Sequence, residues 1–542
     1  MTRPRRRLDH DKEVRPVTPR RTTAPRRGRD RKAEILFPVP GAERFRRGDE
    51  PSAAVIGGGI AGLAAATLLA ERGARVTLYE KEDSLGGRLA GWRTILADGS
   101  AVTMTRGFHA FFRQYYNLRG LLRRTDPGLE RLTPLPDYPL RHSGGPADSF
   151  ARVPRTPPLS ALGFVALSPT FGWRDLAAMD ARAALPLLDV RVPEVYEHFD
   201  TVTAIEFLES VRFPDAAHHL AFEVFSRSFF ADPRELSAAE LLLMFHVYFL
   251  GSAEGLLFDV PGDPFPQALW DPLGDYLRRL GASVHTGTSV LGVRTRDGGG
   301  ADVITDTGTE GHQTVVLALD TAGLRQAVAA SPGLGTAAWR DDIAALRTAP
   351  PFLVSRLWLD RPVRADRPGF LGTSGYGGLD NVSILERYEG EAACWAARTG
   401  GSVVELHAYA VDPAAEQEQE QEQEQDVLVD RLHQVYPETR EARVVDARHE
   451  WRSDCPLFAV GSHRRRPTVR TPHPWLTLAG DGIRCDLPVA LMERAATTGF
   501  LAANALLADR GVRGQVLWTV PRSGRSPLLR ALGAVAGRHP AR

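Results

Sequence analysis

The chain has 542 residues, 43% of them hydrophobic and 25% charged, with a formal net charge of +1. That length is enough for two to four domains around a large core, and the composition is that of a globular protein. Its three cysteines, Cys394, Cys455 and Cys485, share no C-x-x-C spacing. This excludes a sequence-recognisable zinc, iron–sulfur or disulfide framework, so no metal is expected and a reducing cytoplasm is.

Charge is unevenly placed. Met1 to Ala33 holds thirteen Lys and Arg against four acids, about +9, which leaves about −8 for the rest. With no apolar run, the stretch reads as neither a secretory nor a transmembrane segment, and no apolar core follows Arg20-Arg21 as a twin-arginine signal needs. It is predicted to be a disordered basic tail over 1–50, with attraction to anionic lipid as its functional alternative. No nucleic-acid-binding module follows it, so no nucleic-acid partner is expected.

Ser52 to Arg88 reads as strand, glycine turn, helix, strand and second glycine loop. Ala53 to Ile56 is an apolar run suited to a strand buried on both faces. Gly57, Gly59 and Gly62 form G-x-G-x-x-G: a tight turn, close approach of a pyrophosphate to the backbone, and close packing of helix on sheet. Ile60 and Ala61 open the helix, whose N-terminal N–H groups favour phosphate, and Gly73 ends it. The next strand, Val76 to Tyr79, delivers Glu80, followed by Lys81, eighteen positions after Gly62, where a carboxylate can accept both ribose hydroxyls. An acid there argues for an unphosphorylated ribose, hence FAD or NAD. Leu85-Gly86-Gly87-Arg88 follows directly and resembles the second signature of the amine-oxidase-like FAD superfamily. In that superfamily the Gly-Gly-Arg loop lies along the flavin's diphosphate, and Arg88 would supply a fixed charge there.

Asp98-Gly99 signals a hairpin leading into a strand over Ala101 to Thr105. Gly107 then opens a dense aromatic cluster of Phe108, His109, Phe111, Phe112, Tyr115 and Tyr116. The rings are too nearly contiguous to share one helix face, which favours a wall around a flat apolar ligand over a plain core helix. The run Gly107-Phe108-His109-Ala110-Phe111-Phe112, then Tyr115-Tyr116-Asn117-Leu118, resembles the G-x-H-x-F-F…Y-x-N-x pattern of plant-type phytoene and ζ-carotene desaturases. The form FHAFFRQYYNLR is still more similar to the bacterial β-carotene desaturase/methyltransferases, the carotenoid φ-ring or isorenieratene synthases. The resemblance spans roughly Ala53 to Leu507 and implies that Gly107 and its neighbours pass beside the isoalloxazine.

Between Ser143 and Ala253 the chain is rich in Pro, Leu, Phe and Ala without βαβ rhythm, predicting a mostly helical substrate region. Its most apolar run, Leu241 to Leu250, is too short to span a bilayer; it reads as a core helix, with a membrane-facing lip as the alternative. Met244 and His246 within it are expected to be core residues. Leu269 to Leu280 reads as a helix ended by Gly281. Ala282 to Thr286 and Ser289 to Thr295 then form a strand or a hairpin, with Val290 placed by the resemblance at the adenine. Thr314 to Asp320 is another buried strand. No second G-x-G-x-x-G stands in a βαβ setting, so no pyridine-nucleotide site is indicated, and electrons would leave to an unidentified acceptor, a quinone or oxygen. Phe352 to Val354 and Val403 to Ala410 are strand-like. Glu416 to Gln425, five Glu-Gln repeats, reads as a solvated helix extension or a disordered insert.

Trp475 to Gly482 is a strand running into Ala479-Gly480-Asp481, with a helix expected from near Pro488 through Leu491, Met492, Glu493 and Ala495. Asp481 can accept from a ribityl hydroxyl, and the helix N-terminus can steady charge on the flavin's N1–C2=O edge. After Arg510 the chain turns basic, and Leu528 to Ala536 reads as a surface-lying or fraying segment.

The expected fold is α/β plus α+β: a Rossmann-like FAD-binding domain of the GR2, amine-oxidase-like type, interleaved with a substrate domain of mixed sheet and helices. The cofactor parts are 51–142, 261–330 and 451–508; the substrate parts are 143–260 and 331–450; 509–542 is a basic tail. With two FAD signatures, no metal site and no nucleophilic triad, the chain is expected to be an FAD-dependent oxidoreductase. The resemblance narrows its substrate to a carotenoid, with β-carotene first. The ring would be desaturated and aromatised with a 1,2-methyl shift, at the inner face of the cell membrane. An acyclic carotene desaturase, an amine or protoporphyrinogen oxidase and a non-enzymatic isoprenoid carrier are the alternatives. Phe108, Phe111, Phe112, Tyr115 and Tyr116 are the expected stabilisers of a ring cation. His109 is the expected proton acceptor, with hydrogen bonding to the flavin or the backbone weighed equally, and Glu493 is a second candidate.

Overall fold

The run predicted at 53–56 lies at the heart of a five-stranded parallel sheet. In the computed structural model, which describes residues 30–145, 147–170, 177–180, 182–212, 230–412, 418–527 and 530–531, the sheet order is β11 (Ser283–His285), β3 (Arg75–Tyr79), β2 (Ser52–Ile56), β15 (Thr314–Leu317), β21 (Leu476–Leu478). Parallel strands need covering on both faces. One face carries α1 (Ile60–Glu71) and, crossing it, the long helix Leu491–Ala508. Gly499 permits that crossing, since a Cβ there would stand 2.2 Å from the Ala61 carbonyl oxygen. The other face packs on an antiparallel meander of β12 (Val290–Thr295), β13 (Ala301–Thr305) and β14 (Thr309–His312) through Val293, Ala301 and Val303.

A second sheet has seven strands, ordered β20 (Val444–Arg452), β16 (Phe352–Leu359), β19 (Ser402–Ala408), β18 (Asn381–Ile384), β17 (Phe370–Ser374), β8 (Leu140–His142), β9 (Ala147–Asp148). Alternation along its strands sorts their side chains. Leu353, Leu357, Val404 and Leu406 pack on Leu428 and Leu432 of the helix Glu418–Val435, whereas Phe352, Val354 and His407 turn to the opposite side, where they line a cavity. A short three-stranded sheet of β6 (Phe111–Phe112), β10 (Phe258–Pro261) and β7 (Leu132–Pro134) lies beside α2 (Tyr116–Leu122).

Several boundaries differ from expectation, for non-local reasons. Residues 30–50 are not a tail: β1 (Glu34–Leu36) pairs antiparallel with β22 (Leu517–Thr519), and Arg525 pairs with Asp30 at 2.6 Å. The same contacts hold 509–527 to the body, while 1–29 and most of 528–536 lie outside the described residues. The two runs around Gly287 are not a hairpin, because β11 joins the parallel sheet and β12 the meander. β20 carries the second sheet to Arg452. The helix predicted from Pro488 begins at Leu491. Glu418 to Gln425 of the Glu-Gln run belong to the helix Glu418–Val435; Glu416 and Gln417 lie outside the described residues. Leu241 to Leu250 is core, as a helix Ala238–Phe245 continued by a π-turn His246–Leu250. Leu241, Leu242 and Leu243 are fully buried, and His246 Nε2 lies 2.6 Å from the Pro521 carbonyl. Among the described residues no helix is long and apolar enough to cross a membrane and no His/Cys/Asp/Glu group could hold a metal ion.

Candidate active site

Between the two sheets lies a cavity of about 1000 Å³, at the top of the range of roughly 300–1,000 Å³ usual for small-molecule sites. One end is built by the βαβ unit. Gly57 stands at φ +106° and its Cβ would meet the Ala318 carbonyl oxygen at 2.3 Å; a Cβ on Gly62 would stand 1.8 Å from the Gly57 oxygen. Both are therefore obligatory packing glycines. Gly59 differs: a Cβ there would meet only Gly87 Cα, at 3.8 Å, because its backbone opens onto the cavity. The first turn of α1 has no side-chain cap and no acidic residue, and Ile60 and Ala61 line the cavity, leaving that turn's N–H groups for an anion.

Glu80 lines the same end. Its Oε2 accepts from Gly58 N at 2.7 Å and its Oε1 from Glu82 N at 2.9 Å, and burial raises its pKa against those two donors. Lys81 and Val290 stand on the same wall. Gly86 (φ +114°) turns the second loop over Trp270, whose indole Nε1 donates to the Leu89 carbonyl at 2.6 Å. That loop brings Gly87 and Arg88 to the cavity, where Arg88 pairs with Asp481 at 2.6 Å. Gly480, Asp481, Leu491 and Met492 line the same stretch. Leu491, first residue of its helix, sits at φ +51°, a strain on the order of 1–2 kcal/mol held on the cavity wall. An open glycine backbone, an uncapped helix N-terminus, a buried carboxylate and an arginine in one trough fit a flavin adenine dinucleotide. Gly59, Glu80, Gly87, Arg88 and Asp481 are the residues that would hold it. Gly62 and Gly107 are outside the lining.

The other end is aromatic. Phe108 stacks on Phe370 at 4.2 Å, Phe112 meets Tyr248 edge-on at 4.7 Å, and Tyr138 lies 4.8 Å from Phe370. Tyr115 reaches the wall with its hydroxyl 2.5 Å from that of Tyr248. Two of the expected rings are elsewhere. Phe111 is 0% exposed and packs in the core, one strand position out of phase with Phe112. Tyr116 directs its hydroxyl to Glu254 at 3.2 Å. Glu493 is also removed from the site: its two oxygens accept from Asn117 N at 2.8 Å and Leu118 N at 2.9 Å, so it caps α2. Burial pushes its pKa up to about 8 against those donors.

His109 does face the cavity. Its Nδ1 lies 3.0 Å from the Gly107 carbonyl oxygen, which accepts the N–H. Burial brings its pKa down to about 4, so it is a neutral imidazole and a weak proton acceptor at neutral pH. Cys455 sits beside Arg88 with its thiol pushed up to about 11 by burial, and Cys485 is buried with its thiol pushed up to about 12; both are protonated and inert. Gly107 (φ +90°) makes room for His407, since a Cβ there would stand 2.5 Å from that ring. His407, Tyr409 and Asn381 complete the cavity wall, and sequence reasoning passed over them. For His407 and Tyr409 the signal was the alternation in Val404-Glu405-Leu406-His407-Ala408-Tyr409, with polar groups at every second position of a strand.

Residues 60–507 match the family described as flavin containing amine oxidoreductase. The chain is 68% identical to a carotenoid phi-ring synthase of Streptomyces griseus, over 94% of this chain and 98% of that one. It is 28% identical to a carotenoid phi-ring synthase of Chlorobaculum tepidum, over 87% and 91%. Among solved structures, cyclohexylamine oxidase of Brevibacterium oxydans superimposes with a TM-score of 0.61 at 15% identity, covering 85% of this chain and 99% of that chain. At that identity the likeness concerns the fold.

Proposed function

Because the chain belongs to the flavin containing amine oxidoreductases and, within them, to the carotenoid phi-ring synthases, we propose that it is an FAD-dependent enzyme that desaturates a carotenoid β-ionone ring and moves one geminal methyl group to the neighbouring carbon, giving an aromatic φ ring. The observation that carries this reading is the continuity of one cavity from the dinucleotide trough of Gly59 and Glu80 to the aromatic box of Phe108, Phe112, Tyr138, Tyr248 and Phe370. FAD, when bound, supplies the hydride acceptor. The protein's own contribution is to bind, orient and protect. Phe108, Phe370 and Tyr138 flank a flat ring and exclude water from it. Loss of hydride leaves an allylic cation on the ring, next to which a methyl shift is chemically reasonable. Each aromatic face stabilises such a cation by roughly 0.5–2 kcal/mol. Arg88 is paired with Asp481 at 2.6 Å, so that carboxylate balances its charge within the cavity.

β-Carotene is the proposed substrate and a quinone or oxygen the proposed electron acceptor. Residence is proposed at the inner face of the cell membrane, where an apolar C40 chain is dissolved. α3 (Leu159–Leu167) supports that placement: Leu159, Leu162 and Leu167 are exposed, Leu162 by 62%, with Arg152 and Arg155 exposed just before it. Apolar tips beside cations suit an anionic bilayer surface. The buried side of the helix leads inward, Ser160 donating to the Phe249 carbonyl at 2.7 Å. Anaerobic incubation of the flavin-loaded protein with β-carotene and a quinone tests the function. Aromatic end rings, identified by mass and absorption, are expected; desaturation of lycopene or ζ-carotene with no ring aromatisation of β-carotene would reject it.

A further inference from the structure

Ring aromatisation releases protons as well as hydrides, and the acceptor must touch the cavity. We infer that Tyr409 is that acceptor, relaying the proton to His407, which the buried carboxylate of Glu405 positions. This rests on the ring-aromatising reading above.

The three residues alternate along β19 and its continuation, so they share the sheet face turned to the cavity, while Val404, Leu406 and Ala408 face the opposite core. His407 Nδ1 lies 2.8 Å from the Tyr409 hydroxyl and its Nε2 lies 3.0 Å from Glu405 Oε1. Glu405 is fixed in turn by Arg356, directly across the strand pair, through contacts of 3.0 and 2.7 Å. Arg356 holds the Glu405 carboxyl down at about 2 despite full burial, so the relay ends on a permanent negative charge. Phe108 N also lies 3.2 Å from His407 Nε2. Nε2 thus faces both the Phe108 N–H, which points at it, and the Glu405 carboxylate; the relay uses the tautomer in which Nε2–H makes the shorter, charge-assisted contact to Glu405 and Nδ1 accepts from the Tyr409 O–H. Asn381 Nδ2 donates to the Tyr409 oxygen at 3.0 Å. Asn381 itself is 4% exposed, and its Oδ1 has no hydrogen-bond partner among the described residues, an acceptor left to face a ligand.

After hydride loss, a C–H bond adjacent to the ring cation breaks and its electron pair becomes the new C=C bond. The proton goes to the Tyr409 oxygen as the phenolic proton passes to His407 Nδ1. The imidazolium so formed is neutralised by Glu405 and returns its proton to water after product leaves. Tyr409 is the group in contact with the reacting ring; His407 and Glu405 are positioning residues. The arrangement has the logic of a nucleophile–histidine–carboxylate triad with a phenol as the terminal member.

The test uses the flavin-loaded holoprotein with β-carotene, unlabelled and ring-deuterated, for wild type, Tyr409→Phe and His407→Gln. Flavin absorbance and thermal unfolding report whether each variant folds and loads, and the second variant serves if the first does not. Expected are about 10²-fold or greater losses in aromatic product, a larger isotope effect from the ring C–D bond, and accumulation of desaturated, non-aromatic rings. A loaded Tyr409→Phe that aromatises within about threefold of wild type, with an unchanged isotope effect, overturns the relay and leaves the ring-aromatising reading intact. A wild type that forms no aromatic ring overturns both.

Discussion

Replacing Glu493 separates a structural carboxylate from a catalytic one. The side chain is 2% exposed and gives one oxygen to each of two successive N–H groups at the start of α2, at 2.8 and 2.9 Å. Glu493→Ala orphans both donors, at about 1–3 kcal/mol each; with partial relief by an entering water, a destabilisation on the order of 3 kcal/mol is expected. Glu493→Gln keeps the shape and one acceptor but turns an amide N–H toward the other donor, costing on the order of 1 kcal/mol. The pH dependence gives a second reading. The folded carboxyl titrates at about 8 against an ordinary 4.5, so the folded state binds this proton more tightly than the unfolded chain. Its contribution is complete below about pH 4.5 and is lost as pH rises through about 8, at up to about 1.4 kcal/mol per pH unit. Glutamine does not titrate, so the stability gap between wild type and Glu493→Gln should narrow across that window. Denaturant unfolding at several pH values measures the gap, and aromatic product per folded, flavin-loaded molecule measures chemistry. A Glu493→Gln protein with wild-type stability and no product would refute the capping argument and restore Glu493 to the reaction.

Three other outcomes are expected. Gly62→Ala places a Cβ 1.8 Å from the Gly57 oxygen, so it should abolish flavin retention, seen as loss of flavin absorbance per protein. Glu80→Gln keeps only one of the two acceptors now serving Gly58 N and Glu82 N; losing a charge-assisted hydrogen bond should cost roughly 1.5 kcal/mol of stability, read as a lower midpoint in denaturant unfolding of the apoprotein. Leu159→Asp with Leu162→Asp, both on the exposed side of α3, should weaken co-sedimentation with anionic vesicles while leaving flavin content unchanged; undiminished binding would remove α3 from the proposed membrane surface.

The dinucleotide site was legible because its requirements are local. A strand, a tight glycine turn, a helix start and an acid at the end of the next strand all fall between Ser52 and Glu80, and each has a residue-level signature. The aromatic cluster was only half legible. Contiguous rings announce a wall but not which rings face it: Phe112 lines the cavity, while Phe111 alternates into the core and Tyr116 follows the start of α2 toward Glu254. Glu493 followed a flavin signature and so looked catalytic, yet its destination was set by α2, some 375 residues earlier in the chain.

By itself, then, the sequence determined the cofactor class, the Rossmann half of the fold and, through motif resemblance, the carotenoid chemistry. Each rests on residues close in the chain whose backbone needs are specific. Only the tertiary structure decided which groups meet. Pairing of β1 with β22 made residues 30–50 and 509–527, parts of two expected tails, folded chain. Gly107 was shown to make room for His407, 300 residues later. Burial brought the His109 imidazole down to about 4, and sheet alternation set Glu405, His407 and Tyr409 in one line at the cavity. Burial, desolvation and ion pairing are sums over neighbours from the whole chain, which no local pattern contains.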